Sequence, residues 1–122
     1  MKILIVDDSR AMRMIVRRNL NQVDSVADAE IIEAENGEEA LGWFAGGTAP
    51  DIVFSDWNMP GMNGIELLRS LRNAGIEVPF GFVTSEKDED MWAEAIAEGA
   101  SFMISKPFTV HSFAERLAEI GF

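Results

Sequence analysis

Short runs of apolar residues alternate along the chain with longer stretches in which apolar side chains return every three or four positions. That alternation predicts a parallel sheet covered by helices on both faces. Strands are expected over residues 3–6, 31–34, 52–55, 80–84 and 102–105. The first helix should start at Ser9, a good N-cap, turning Met12, Ile15, Val16 and Leu20 toward the sheet and Arg13, Arg17 and Arg18 toward solvent. Asn36-Gly37 opens a second helix that runs through Leu41 and Phe44 to a stop at Gly46-Gly47. A third presents Ile65, Leu68 and Leu71, ends near Gly75, and is followed by Pro79 leading into the fourth strand. The fourth begins in the acidic stretch Asp88-Glu89-Asp90, where carboxylates favour the positive end of the helix dipole, and stops at Gly99. The fifth covers about 110–120, and residues 21–30 read as a polar connection with room for a helical turn.

The expected architecture is therefore α/β and doubly wound, a (βα)5 unit. With 122 residues, 48% of them hydrophobic, the chain suffices for one core, so one domain over 1–122 with no output domain attached is expected. It carries no bilayer-length apolar run and no signal-peptide layout before the first strand, which predicts a soluble, cytoplasmic protein. A formal net charge of −11 argues against nucleic-acid or anionic-membrane partners. With no cysteine and one histidine, His111, there is no disulfide framework, thiol nucleophile or Cys/His zinc site, so any metal must be held by oxygen. His111 stands alone on the last helix and reads as a solvated residue.

Polar residues cluster at one place in this pattern. Asp7 and Asp8 end the first strand, Asp56 the third and Thr84 the fourth, while Lys106 follows the fifth. Ligands of open α/β sheets bind outside the carboxyl ends of the strands, where the strand order reverses. With order 2-1-3-4-5, strands one and three are neighbours across that point, about 4.8 Å apart, and their three carboxylates would repel strongly without a cation between them. Magnesium, with manganese as a substitute, suits few carboxylates, several waters and a phosphoryl oxygen better than calcium does. One carboxylate is then free to attack phosphorus while the metal and Lys106 neutralise developing charge. Taken singly, Asp-Asp-Ser could be helix capping, Asn58-Met59-Pro60-Gly61 a turn and Lys106-Pro107 a strand end; together at the strand ends they point to one site.

The segments Val6-Asp7-Asp8-Ser9, Asp56-Trp57-Asn58-Met59-Pro60-Gly61-Met62-Asn63-Gly64, Val83-Thr84-Ser85 and Lys106-Pro107-Phe108 resemble, in this order and over essentially the whole chain, the receiver domain of response regulators. The loop from Asp56 to Pro60 resembles that of the stand-alone CheY group within the family. The resemblance implies the flavodoxin-like five-stranded parallel sheet of order 2-1-3-4-5 and assigns roles. Asp56 would accept phosphoryl from a phosphohistidine on a sensor histidine kinase (CheA-like) or a phosphotransfer protein. Asp8 would ligate magnesium directly and Asp7 largely through water, with Asp56 and the Asn58 backbone carbonyl completing the protein's share. Lys106 would pair with phosphoryl oxygens, its bond to Pro107 being cis. Thr84 would swing its hydroxyl onto a phosphoryl oxygen and so shift the surface of helix four, strand five and helix five, while Asn58 and Glu86 would tune dephosphorylation.

Two departures from the family pattern stand out. Its aromatic switch position, three residues before the lysine, is Met103, which has no ring to move between discrete states. The fourth helix, with Asp88, Glu89, Asp90, Glu94 and Glu98, is acidic, which suits a partner presenting basic residues. Trp92, by spacing, faces either the core or the output surface near Met103, and Trp57 is expected half exposed beside the site. The implied function is a two-component phospho-switch, probed by its response to phosphorylation, controlling an effector such as a flagellar motor switch component, as a monomer. A phosphate sink or phosphorelay intermediate is the alternative. A multiple-turnover hydrolase is a third reading, and it would want a second aspartate where Asn58 stands.

Overall fold

The computed structural model describes all residues, 1–122. Its strands are β1 (Lys2–Val6), β2 (Glu30–Ala34), β3 (Ile52–Ser55), β4 (Phe80–Thr84) and β5 (Phe102–Ser105). Its helices are α1 (Arg10–Asn21), α2 (Gly37–Ala45), α3 (Gly64–Asn73), α4 (Glu89–Ala97) and α5 (Val110–Glu119), with a 3-10 turn at Asp24–Val26 inside the polar connection. All strand pairs are parallel, as the alternation of runs predicts, and the order is β2-β1-β3-β4-β5, the flavodoxin-like arrangement that the resemblance implies. None of the helices is long and apolar enough to cross a membrane.

Alternation along each strand divides the core in two. Leu4, Val6, Val53, Phe80 and Phe82 pack on the α2, α3 and α4 side, while Ile3, Ile5, Ile52, Phe54 and Val83 pack on the α1 and α5 side with Phe113 and Leu117. Because the sheet is covered on both faces, β3 and β4 are buried at every position, which is why they read as unbroken apolar runs. Gly81 interrupts that run for a packing reason: a Cβ there would collide with the Phe102 ring from β5.

Side-chain capping sets the helix starts. Ser9 Oγ accepts from the Met12 amide at 3.2 Å, Asn36 Oδ1 from Glu39 at 2.8 Å, and Asp88 Oδ1 from Asp90 at 2.8 Å. Asn63 and Glu66 close a reciprocal capping box at 3.0 and 3.1 Å.

The inward face of α1 differs from the expected one. Ile15 is 40% exposed, whereas Arg13 is buried. Arg13, Val16 and Leu20 share a face at spacings of three and four, and they are the buried residues of α1. At the first turn this face looks past the apolar core onto the sheet edge, where backbone oxygen and a carboxylate satisfy a guanidinium and would leave an isoleucine unpaired with apolar surface.

Candidate functional site

β1 lies between β2 and β3, and Val6 is in register with both Ala34 and Ser55. The chain leaves the sheet at the same level on both strands, so Asp7, Asp8 and Asp56 emerge into one crevice. Each has an oxygen in a group lying within 4.8 Å of one another. The backbone anchors them: the Asp7 amide donates to Ala34 O at 3.1 Å and the Asp56 amide to Val6 O at 2.9 Å.

Asp7 is buried, and its Oδ1 accepts from the Ser9 amide at 2.9 Å. Burial pushes its carboxyl above the ordinary range; the Ser9 bond works against that shift and the nearby Asp56 charge adds to it. Burial likewise raises Asp56, opposed by the Lys106 charge and by amide bonds from Trp57, at 2.8 Å to Oδ1, and from Asn58. Lys106 Nζ stands 3.7 Å from Asp7 Oδ2 and 3.7 Å from Asp56 Oδ1. One ammonium therefore faces three carboxylates. The surplus negative charge and the all-oxygen donor set fit a hard divalent cation, with magnesium chemistry the natural match.

Thr84 is fully buried at the end of β4, and its hydroxyl accepts from the Glu86 amide at 3.1 Å. Its carbonyl takes the Lys106 amide at 2.9 Å, joining the ends of β4 and β5. The peptide bond from Lys106 to Pro107 is cis. Asn58 Nδ2 donates to Glu86 Oε1 at 3.3 Å across the mouth of the crevice. Gly64, at the start of α3, is required by close approach: a Cβ there would run into the Asp56 carbonyl.

Away from the crevice, Met103 is half-buried on β5 and Trp92 half-buried on α4, both lining a groove with Phe102 and Arg116. Trp92 is neither core nor free surface, for its indole Nε1 donates to the Glu86 carbonyl at 2.7 Å. Trp57 corrects an expectation: it is buried, with its ring 4.7 Å from that of Phe82, because the loop after β3 folds back over the α3 side of the sheet. His111 is exposed and meets Glu115 one turn on at 3.2 Å.

Arg13 is the site neighbour that reading the sequence missed. Its Nη1 donates to the Asp7 carbonyl at 2.7 Å and its Nε to Glu33 Oε1 at 2.8 Å, while Arg17 holds the other Glu33 oxygen at 2.8 Å. Burial alone would raise Glu33, but hydrogen bonds and charge from Arg17 and Arg13 outweigh it and hold the carboxyl below its ordinary range. The signal available in sequence was spacing, since Arg13 precedes Val16 by three and Leu20 by seven.

Comparison with known proteins agrees with this geometry. The model of the response regulator receiver domain matches residues 3–118. The chemotaxis protein CheY of Pseudomonas aeruginosa is 38% identical over 122 residues, covering 98% of this chain and 95% of that protein. CheY1 of Helicobacter pylori strain J99 is 34% identical over 119 residues, covering 96% and 94%. Among solved structures, Vibrio cholerae CheY4 superposes with a TM-score of 0.81 at 28% identity, covering 98% of this chain and 97% of that one. The receiver domain of a Francisella response regulator, at 24% identity and a TM-score of 0.85 over 98% and 94% of the two chains, shares the fold. By a family match spanning nearly every residue and by relatives alike from end to end, the chain belongs to the response regulator receiver domains, of CheY-like type, which are phospho-switches and not classical enzymes.

Proposed function

We propose that this chain accepts a phosphoryl group on Asp56 from a phosphohistidine and signals its presence through the surface of α4, β5 and α5. The observation that carries the reading is the strand-end crevice, where three carboxylates crowd within 4.8 Å and Lys106 stands 3.7 Å from two of them. The Asp56 carboxylate, whose Oδ1 accepts from the Trp57 amide, is the nucleophile. Its attack forms an O–P bond as the P–N bond to the donor imidazole breaks, and the departing ring nitrogen takes a proton from solvent. Lys106 moves its charge from the carboxylate pair to the phosphoryl oxygens. Magnesium, or manganese in its place, held by Asp7, Asp8, Asp56 and the Asn58 carbonyl, would supply charge neutralisation on the transferred group.

The Thr84 side chain can rotate to bring its hydroxyl onto a phosphoryl oxygen, which links the new charge to β4 and the loop beyond it. Asn58 and Glu86, bonded to each other over the crevice, flank the approach of water and set the phosphoryl lifetime. The relatives' names support chemotaxis as the pathway, with a CheA-like kinase or a phosphotransfer protein as donor and a flagellar motor switch component as effector. A cytoplasmic monomer, bound to neither nucleic acid nor membrane, completes the reading. Met103 favours a second reading, a phosphate sink or phosphorelay intermediate, because without an aromatic ring at that position the chemistry can proceed with a weakened output.

The test is tryptophan fluorescence of wild type and Asp56→Asn on addition of magnesium and then a small phosphodonor or beryllofluoride. A magnesium response followed by a donor response that Asp56→Asn abolishes is expected. A folded protein silent to both would mean that the acidic crevice is not a phosphorylation site.

A further inference from the structure

We propose that the Trp92 indole carries the state of Asp56 to the α4 face, with Glu86 as the junction, in a chain whose β5 switch position holds Met103. The inference rests on the phosphoryl-acceptor reading above. Three bonds converge on Glu86. Its amide donates to the Thr84 hydroxyl at 3.1 Å, its side chain accepts from Asn58 at 3.3 Å, and its carbonyl accepts the Trp92 indole N–H at 2.7 Å. One residue is thus tied to the end of β4, to the acceptor loop and to α4.

The first and last of these bonds stand in series. When the Thr84 hydroxyl rotates to a phosphoryl oxygen, its oxygen leaves the Glu86 amide, and segment 85–88, exposed except at the half-buried Glu86, loses the tether that fixes it to β4. The segment then moves and the Glu86 carbonyl with it, opening the bond to the indole. α4 is suited to respond, because Ala95 is its one buried residue, whereas α3 buries Gly64, Ile65, Leu67, Leu68 and Leu71. Trp92 lines a groove of about 380 Å³ with Ile96, Phe102, Met103, Arg116 and Glu119, so release of the indole changes the shape of the groove and frees an N–H donor at its rim. Met103 can repack as the ring moves but offers no polar atom that could sense Thr84. Trp92 is therefore a positioning residue for the output face and takes no part in phosphoryl transfer.

Indole and amide N–H resonances of the full chain, recorded by two-dimensional NMR with and without magnesium and beryllofluoride, test this. The Trp57 amide, bonded to Asp56 Oδ1, reports loading of the acceptor. The Trp43 indole, which donates to Glu33 O at 3.4 Å on the far side of the sheet's edge, is the control. On loading, the Trp92 indole signal should shift upfield and exchange faster with solvent while that of Trp43 stays. Trp92→Phe keeps the ring and removes the donor; it should bind beryllofluoride about threefold tighter, since a bond made only in the unloaded state is gone. With beryllofluoride bound its thermal midpoint should match that of wild type, and without it the midpoint should fall only by the worth of one bond, which separates this role from simple packing. A Trp92 indole that stays put while the Trp57 amide moves would overturn the proposal, as would wild-type affinity in a folded Trp92→Phe. If that variant does not fold, the wild-type indole signal decides alone. Silence at the Trp57 amide as well would overturn the acceptor reading and this inference together.

Discussion

Asp7 is the side chain in which stability and function conflict most directly. It is buried beside Asp56, and burial raises its pKa, so the ionised form is disfavoured in the folded protein. For such a group the cost to the fold is absent below the unfolded pKa of 3.8 and reaches its full size as pH rises through the higher folded value. Asp56 behaves the same way, while Glu33, with a lowered pKa, contributes stability above 4.5 that is lost as pH falls through its folded value. In chelator, Asp7→Asn should therefore unfold at higher urea than wild type at pH 7, and the gain should vanish below about pH 4. Urea midpoints across that range check it, and equal midpoints at pH 7 would refute it. Arg13 works in the opposite sense, pinning the Asp7 carbonyl and Glu33 at once. Arg13→Ala should cost about 1–3 kcal/mol in the same assay, because the buried Asp7 carbonyl loses its donor while Arg17 keeps its hold on the half-buried Glu33. A loss below about 1 kcal/mol would mean that water replaces the guanidinium.

At the scale of elements, the site depends on how tightly β4 and β5 close. Gly81 and Phe102 face each other in register across that pair, and the ring occupies the space where a Cβ would stand. Phe102 also packs on Phe54 at 5.4 Å and lines the groove beside Trp92, so strain at this contact acts on the core and on the output face. Gly81→Ala should destabilise by about 1–3 kcal/mol through overpacking, and Phe102→Leu should relieve part of that cost in the double variant. A double-mutant cycle in denaturant measures the coupling; strict additivity would show that the ring moves aside freely. α3 needs no such compromise, since its capping box and close packing hold the acceptor loop from the other side.

For the whole molecule, charge governs the response to ions. A net charge of −11 repels itself, so sodium chloride should stabilise the fold modestly by screening. Magnesium should do more than an equal ionic strength of sodium chloride, because the crevice gathers three carboxylates and sets one ammonium beside two of them. At a hundredfold excess over its dissociation constant, a ligand confined to the folded state adds about 2.7 kcal/mol. Thermal unfolding of wild type and Asp8→Asn in matched ionic strength separates the two effects. The magnesium-specific rise should be lost in the variant, and retention of the full rise would exclude Asp8 as a ligand.

The strand runs, the helix stops at glycine, the Ser9 cap and the helix openings at Asn36 and Asp88 were legible because local periodicity and backbone satisfaction depend on near neighbours. So was the gathering of Asp7, Asp8, Asp56, Thr84 and Lys106 at strand ends, since parallel strands put all their carboxyl ends on one edge. The burial of Arg13 and of Trp57 was decided only by tertiary structure. In each case a long side chain is assigned by what stands opposite it, a carbonyl and carboxylate for one and the Phe82 ring for the other, and those partners come from distant segments. The same holds for the bond from Trp92 to Glu86: periodicity allowed the indole either face, and the path of the loop after β4 supplied the acceptor.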